Sequence, residues 1–208
     1  TAVEKIRLFG ELQARTDELA RSVDELRALA QTTQAVNSSL NRERVLSAIA
    51  EHACRLCQAD AGLITEFIES AGAFRPVATW NVRPEFVRQV MAAPPTWGEG
   101  VTGRSAAMRG AVQIPDVRAA NGYAWGEVIA GEGYRALLSV PLLRDERIIG
   151  TIAVARKNAG AFAERFVDLL TTFANQASIA LEHARLFQQL HEKATQLEGV
   201  SRHKSQFL

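Results

Sequence analysis

Cysteine is scarce in this chain, and its two residues, Cys54 and Cys57, form a single C-x-x-C pair within "IAEHACRLCQAD". A structural zinc site needs four ligands, and no second cysteine pair or nearby histidine group completes one. The surrounding periodicity is helical, whereas a redox pair is expected where a strand leads into a helix. We interpret both residues as small apolar members of a core, with a redox or metal role shared across a dimer as the alternative.

An excess of charge of either sign is also missing, because 24 Lys and Arg balance 23 Asp and Glu to leave a net charge of +1. This balance excludes the basic surface expected of a protein that binds nucleic acid or an anionic membrane. The longest apolar runs, such as "ALLSVPLL", are far shorter than a membrane span, and the first residues show no signal-peptide pattern. We therefore expect a cytoplasmic protein that contacts neither nucleic acid nor membrane.

A complete catalytic motif is the third absence. Residues 98–103, "GEGVTG", satisfy the dinucleotide pattern G-x-G-x-x-G, but the preceding "AAPPTW" cannot form the strand that such a site requires. No G-x-S-x-G elbow occurs, and His191-Glu192 lacks the residues that follow a phosphoacceptor histidine. The chain is therefore predicted to be no enzyme and to hold no metal, although the first turn of a helix at 101–109 could hold an anion.

What the chain does contain is one helical pattern at both ends, "IRLFGELQARTDEL" at 6–19 and "ARLFQQLHEKATQL" at 184–197. Leucines recur every seven residues in the first copy, within a helix predicted over 2–35, and this is the heptad spacing of a coiled coil. A single domain cannot bury such seams, so we expect a parallel homodimer. The predicted dimer seam consists of Phe9, Leu12, Leu19, Val23 and Leu26, followed by Phe187, Leu190 and Leu197.

Helical and strand patterns alternate between these ends. The predicted elements are a helix at 42–58, strands at 61–68 and 73–80 joined by a turn at 70–72, a helix from Pro84, a helix at 101–109 that Gly110 closes as a left-handed residue, a strand in "AVQIP", strands in "ALLSVPLL" and "RIIGTIAVA", and a helix from about residue 163. That last helix would be about 60–70 Å long. Pro141 should lie at a bulge or an edge. The order predicts an α+β fold, an antiparallel sheet with helices gathered on one side.

Four stretches together resemble a GAF domain, the small-molecule and signal-relay module of many sensory proteins: "LSAIAEHACRLCQADAGLI", "GEGVTGRSAAMRGAVQIPDV", "YRALLSVPLLRDERIIGTIAVAR" and "LLTTFANQASIALEHARLF". The resemblance implies a five- or six-stranded antiparallel sheet with terminal helices on one face and a ligand pocket on the other. It divides the chain into an N-terminal connector helix (1–34), a GAF domain (35–182) and a C-terminal connector helix (183–208).

The repeated helices are similar to the connectors that join GAF domains in tandem arrays, where the exit helix of one domain leads into the next. The closing "RHKSQFL" resembles the approach to the dimerisation and phosphotransfer helix of sensor histidine kinases. The resemblance therefore implies a tandem-GAF sensor histidine kinase of a two-component phosphorelay, whose kinase domain lies downstream in the same chain and is controlled through dimeric coiled-coil helices.

The resemblance also places the pocket wall and lid in the part of the chain that holds every tryptophan and tyrosine. Trp97 and Trp125 lie in loops rich in glycine or proline, where a large apolar ring is hard to explain unless it covers a cavity. Trp80 could equally be a core residue, Arg104 a solvent-exposed one, and Asp116 a residue that orders its loop. The candidate ligand-binding residues are Trp80, Trp97, Arg104, Asp116, Tyr123, Trp125, Tyr134 and Ser139.

No cofactor is expected, because the residues that relatives use to hold one are missing. Bilin-binding relatives attach the chromophore to a cysteine, and both cysteines here lie in the predicted helix 42–58; haem-binding relatives need a pocket histidine, and none occurs between residues 53 and 182. The Asp-Glu pair of cyclic-nucleotide binders is absent from "ARKNAGAFAERFVDLL". Two hypotheses stay open: an unknown small molecule that shifts the helical seam, or a ligand-free dimerisation and relay spacer.

Overall fold

A computed structural model describes residues 42–120, 123 and 125–205, with the side chains of its last helix described at 164–186, 189, 190 and 193. Five strands and five helices make up the described part of the chain. They are α1 (42–56), β1 (Ala61–Ile68), β2 (Ala73–Trp80), α2 (Pro84–Ala92), α3 (Gly100–Met108), β3 (Val112–Ile114), α4 (Gly126–Gly131), β4 (Ala136–Arg144), β5 (Arg147–Arg156) and α5 (Glu164–Ser205).

The strands form one antiparallel sheet in the order β2-β1-β5-β4-β3. Both predicted hairpins are present, and positive φ angles close them: Gly72 has φ 62° in the first turn, and Asp145 and Glu146 have 45° and 65° in the second. Pro141 lies in β4 beyond the part of that strand that β3 reaches. Its missing N–H therefore costs no bond on that side, as the sequence predicts.

Helices α1 and α5 cover one face of the sheet, which we call the helix face. The even-numbered side chains of β4 and β5 point into it, and they pack against buried residues of both helices. The fully or nearly fully buried members of this cluster include Leu46, Ala50, Leu138, Leu142, Ile152, Val154, Leu170, Ala174 and Ala177. The two long helices therefore share one apolar layer, as expected.

Cys54 and Cys57 belong to this layer, and both thiols are buried. Cys54 lies directly over β1, since a Cβ on Gly62 would stand 2.3 Å from its Sγ atom. Burial raises the pKa of Cys54 to about 12 and that of Cys57 to about 11, which keeps both as unreactive thiols at neutral pH. Within the described ranges, no group of three or more His, Cys, Asp and Glu side chains could hold a metal ion.

Three short helices, α2, α3 and α4, lie over the opposite face, which we call the cavity face. Helix α3 lies close to the sheet, where the Ser105 and Ser139 hydroxyls are 2.9 Å apart. A Cβ on Gly103 would stand 2.0 Å from the Thr96 carbonyl oxygen. The left-handed residue that ends α3 is Arg109, with φ 52°, and not Gly110 as predicted, because the helix stops one residue earlier than its pattern suggests.

Helix α5 has 42 residues and is therefore roughly 63 Å long. Of the predicted seam, Leu190 is 68% exposed. The structure does not describe the other seam positions. Residues Phe9, Leu12, Leu19, Val23 and Leu26 lie outside the described residues, and the side chains of Phe187 and Leu197 are outside the described part of α5. No helix in the described part of the chain combines the length and the apolar character that a membrane span requires.

Candidate functional site

A cavity of about 80 Å³ lies between the cavity face of the sheet and the three short helices. For comparison, an engineered cavity of about 150 Å³ admits benzene, and one water molecule takes about 30 Å³. Most of its walls are apolar. They are formed by Ala61, Gly62, Leu63, Val82, Phe86, Val90, Pro95, Gly100, Val101, Thr102, Tyr123, Trp125, Ile129, Tyr134, Leu137, Ala153, Val154 and Ala155.

Small residues of the two central strands make the floor of this cavity. Ala61 of β1 pairs with Ala155 of β5, Leu63 pairs with Ala153, and the alternation of the strands points these side chains away from the helix face. Larger side chains at these positions would fill the space. The alternating alanines of "TIAVA" were a signal for this floor that the sequence reasoning did not use.

A second group that the sequence reasoning missed comes from α2 and the loop before it. Val82, Phe86 and Val90 form one side wall. Their apolar spacing predicts a helix with one buried side, but it does not tell which sheet face that helix covers. Only the packing of α2 on the cavity face gives these side chains their place.

The opposite wall is a lid, by which we mean Tyr123 and residues 125–134 with α4 among them. Three of its aromatic side chains line the cavity and anchor their polar ends to the protein. The Tyr134 hydroxyl donates to the Asn81 carbonyl oxygen at 3.1 Å, and the Trp125 Nε1–H donates to Glu99 Oε1 at 3.3 Å. The Tyr123 hydroxyl accepts the backbone N–H of Val101 at 3.1 Å. The lid is therefore bound to the residue that follows β2 and to the start of α3.

The contact between Tyr123 and Val101 uses one of the free N–H groups in the first turn of α3, where the sequence suggested that an anion could bind. Gly100 has φ 61°, and a Cβ there would lie 3.2 Å from Trp125 Cδ1, so glycine lets the lid lie close to this turn. Burial raises the pKa of Tyr123 to about 12, so the group is a neutral hydroxyl at physiological pH.

Two ion pairs hold the C-terminal end of the lid. The Arg83 guanidinium makes two hydrogen bonds to Glu132, of 2.6 and 2.5 Å, and only 7% of the Glu132 side chain is exposed. Arg135, the residue that follows the lid, binds both carboxylate oxygens of Asp116, which precedes the lid in the chain. This hydrogen-bonded pairing lowers the pKa of Asp116. These four charged groups are thus paired with each other and do not line the cavity.

Among the predicted ligand-binding residues, Tyr123, Trp125 and Tyr134 are the ones that the structure brings together around the cavity. Trp97 lies outside it, in an aromatic cluster with Phe67 and Phe74 at ring-centroid distances of 5.2 and 5.9 Å, and 48% of its surface is exposed. This cluster lies at the hairpin end of β1 and β2, where the Phe74 N–H binds the Pro95 carbonyl oxygen at 2.9 Å. Trp97 therefore covers a strand end rather than the cavity.

The other four lie apart from the cavity as well. Trp80 packs against the cluster on the helix face. Arg104 is exposed, with its Cζ 5.6 Å from the Tyr123 ring centroid, and Asp116 orders the lid base through Arg135. Ser139 is buried against Ser105 and joins α3 to β4.

The link between Glu99 and the lid predicts a response to acid. The Glu99 pKa is lowered first by the Thr96 N–H, at 3.0 Å, and further by the Thr96 hydroxyl and the Trp125 indole. A carboxyl whose folded pKa is depressed contributes stability above its unfolded pKa of about 4.3 and loses it as the pH falls through the folded value. We expect the Trp125 indole N–H resonance to shift as the pH falls below about 4.3, the unfolded value, because the folded pKa of Glu99 lies lower.

The Glu99→Gln variant supplies the control for this titration, because its side chain does not ionise. In that variant the Trp125 resonance should stay constant over the same range, and the resonance of Trp80, which packs against the helix-face cluster, should be unaffected in both proteins. A Trp125 shift of equal size in Glu99→Gln would contradict the assignment.

Comparisons with known proteins agree with this architecture. The GAF domain family matches residues 39–182, more than half of the chain, whereas a search of curated proteins found no match. Among solved structures, the GAF domain of a phosphoenolpyruvate-protein phosphotransferase from Coxiella burnetii is 23% identical, with a TM-score of 0.63, and the alignment covers 79% of this chain and 96% of that one.

Two further structures share the fold. A domain described as part of a two-component sensor histidine kinase from Sinorhizobium meliloti 1021 is 25% identical, with a TM-score of 0.57, covering 69% of this chain and 92% of that one. The free methionine-R-sulfoxide reductase from Neisseria meningitidis, solved in complex with its substrate, is 18% identical, with a TM-score of 0.55, covering 68% and 78%. With its antiparallel sheet, its two terminal helices and its covered cavity, this chain belongs to the GAF domain family.

Proposed function

We propose that this domain is a sensor that binds a small molecule in the cavity under the lid and passes the bound state to α5. The observation that carries the proposal is the cavity itself: three aromatic side chains of the lid close over a floor of alanines and leave an apolar space. GAF domains are generally sensory or regulatory, and the relative from Neisseria meningitidis was solved with its substrate bound.

A relay to α5 is supported by contacts at the base of the lid. The segment that leads from β3 to the lid binds the segment that leads into α5: the Pro115 carbonyl oxygen accepts the Gly160 N–H at 2.8 Å, and Gln113 Oε1 accepts the Phe162 N–H at 2.7 Å. A displacement of Gln113 and Pro115 therefore acts directly on the residues just before α5.

Arg156 extends this connection to the helix face. Its carbonyl oxygen accepts the N–H of Arg135, the partner of Asp116, at 2.7 Å. Its guanidinium donates to the Gln58 carbonyl oxygen after α1 at 3.0 Å, and its Cζ lies 4.0 Å from the ring centroid of Phe162. One side chain thus contacts the end of α1 and the start of α5. A two-position lid would bias the orientation of these helices.

The output proposed for this movement is a dimeric coiled coil that leads to a histidine kinase domain in the same chain, within a two-component phosphorelay. Ile179, Leu186 and Leu190 of α5 are 46%, 47% and 68% exposed, and their spacing of seven and four residues places them on one side of the helix. The relative from Sinorhizobium meliloti, described as a sensor kinase domain, supports this output.

The ligand proposal is tested by a thermal-shift screen of metabolites against three proteins: the wild type, Trp125→Ala and Trp97→Ala. A ligand at a hundred times its Kd stabilises the folded state by about 2.7 kcal/mol. We expect this gain in the wild type and in Trp97→Ala, whose side chain lies outside the cavity, and a clear loss of it in Trp125→Ala. A hit that stabilises all three proteins equally would contradict binding in this cavity.

The dimer proposal is tested by light scattering at tens of micromolar protein, with Leu190→Asp against the neighbouring control Gln189→Asp. Both positions are exposed, but only Leu190 continues the apolar side of α5. An aspartate there would place a charge in the seam. We expect a dimer for the wild type and Gln189→Asp, and a shift towards monomer for Leu190→Asp. A monomeric wild type would overturn the proposal.

One observation favours the alternative, a ligand-free dimerisation and relay spacer. The cavity holds about 80 Å³, well below the roughly 300 Å³ at which typical ligand sites begin. A screen without any hit, together with an intact dimer, would favour the spacer.

A further inference from the structure

The polar groups of Trp125, Tyr134 and Tyr123 at the cavity wall differ in whether their donor proton is already used in a hydrogen bond. Trp125 has one donor proton and gives it to Glu99, and the Tyr134 hydroxyl gives its proton to the Asn81 carbonyl. Among the hydrogen bonds of the described residues, the Tyr123 hydroxyl accepts one and donates none. Of these three side chains, Tyr123 is therefore the one whose donor proton is available to a ligand.

Charge around the cavity is arranged differently. Arg83 with Glu132, and Arg135 with Asp116, form ion pairs. Glu99 is bound by Thr96 and Trp125, and Arg104 is exposed to solvent. None of the described residues that line the cavity carries a charge. An ion in such a space would lose its hydration without gaining a partner, at a cost of several kcal/mol.

Resting on the function proposed above, we propose that the ligand is a small, uncharged, mainly apolar molecule with one hydrogen-bond acceptor, which the Tyr123 hydroxyl receives. Tyr123 is 7% exposed, so a bond to its hydroxyl is shielded from water. Burial also raises its pKa, which keeps the donor proton in place. The acceptor can be a carbonyl or an ether oxygen, since both carry a lone pair to which the Tyr123 hydroxyl can donate.

Four probes with four non-hydrogen atoms each, fewer than benzene, suit a cavity of about 80 Å³ and separate these features. Acetone carries the acceptor, and isobutene has its shape without the oxygen. Acetate and isopropylammonium carry a negative and a positive charge. Binding to the whole 208-residue chain is followed through the Trp125 indole resonance. The proteins compared are the wild type, Tyr123→Phe and Tyr134→Phe.

Tyr134→Phe is the matched control, because it removes a hydroxyl at the cavity wall whose proton is already donated to Asn81. We expect Tyr123→Phe to weaken acetone binding about three- to tenfold, as for the loss of one hydrogen bond, and to change isobutene binding less than twofold. Tyr134→Phe should leave the ratio of the two Kd values unchanged. The two charged probes should not bind at concentrations that saturate the ketone.

An unchanged ratio of Kd values in Tyr123→Phe, or binding of either ion as tight as that of the ketone, would overturn the inference while leaving a small-molecule sensor intact. Failure of all four probes to move the Trp125 resonance would overturn the proposed binding function together with it.

A second measurement needs no variant. The carbonyl stretching band of acetone bound to the wild type should lie at lower wavenumber than in hexane, and a band at the hexane position would refute the hydrogen bond.

Discussion

Replacing Gly150 with alanine is expected to cost more than 4 kcal/mol of the free energy of unfolding, about the level that marks an exceptional single substitution. Gly150 lies in β5 between β1 and β4, and a Cβ there would stand 2.0 Å from the Thr65 carbonyl oxygen and 3.1 Å from Leu142 Cδ1. The first of these atoms is backbone in the middle of the sheet and cannot turn aside. The measurement is urea unfolding followed by circular dichroism.

Gly131→Ala is the matched control, since Gly131 ends α4 and a Cβ there would meet no atom within 4 Å. Alanine at such a position reduces the freedom of the unfolded chain, and gains of about 0.4–1 kcal/mol are typical. The two substitutions should therefore have opposite signs. A Gly150→Ala variant as stable as the wild type would show that the central strands are farther apart than described here.

Truncating Leu138 to alanine is the second change expected to have a large effect, about 2–5 kcal/mol of unfolding free energy. Leu138 is fully buried in β4, in the layer that α1 and α5 cover. Alanine would leave a void there, because tightly packed neighbours close such a space only in part. Leu143→Ala, in the same strand at 36% exposure, should cost less than about 1 kcal/mol.

These Leu138 and Leu143 variants also test which face of the sheet holds the stabilising core. Leu138 points to the helix face, whereas its neighbour Leu137 lines the cavity. We therefore expect Leu138→Ala to lower the urea midpoint without changing the chemical shift of the Trp125 indole in the folded protein. Equal losses from Leu138→Ala and Leu143→Ala would mean that the burial of the two side chains is not as described.

Much of the fold could be predicted because it depends on short-range patterns. The strands β1, β2, β4 and β5 have the alternation and β-branched residues of strands, and Gly72 stands where a hairpin needs a positive φ. Pro84 begins α2, as its fixed φ favours. Such features depend on a few neighbouring residues, which is why they can be predicted without tertiary information.

The candidate site was predicted less completely, and the aromatic residues show why. Trp97 and Trp125 both lie in loops rich in glycine or proline, so the local sequence predicts the same role for both. In the structure Trp125 reaches the cavity and binds Glu99, whereas Trp97 packs on Phe67 at the hairpin end. The difference arises from where each loop crosses the sheet, which no local pattern encodes.

By itself, the sequence determined the type and order of the elements and the antiparallel hairpins, because propensity, periodicity and turn chemistry act over a few residues. Tertiary structure alone decided that Ala61 and Ala155 lie side by side, 94 positions apart in the chain, and that the lid closes over them. The cavity is the space left between elements brought together by the burial of apolar surface. Its size and the position of the Tyr123 hydroxyl at its wall therefore depend on the packing of the whole domain.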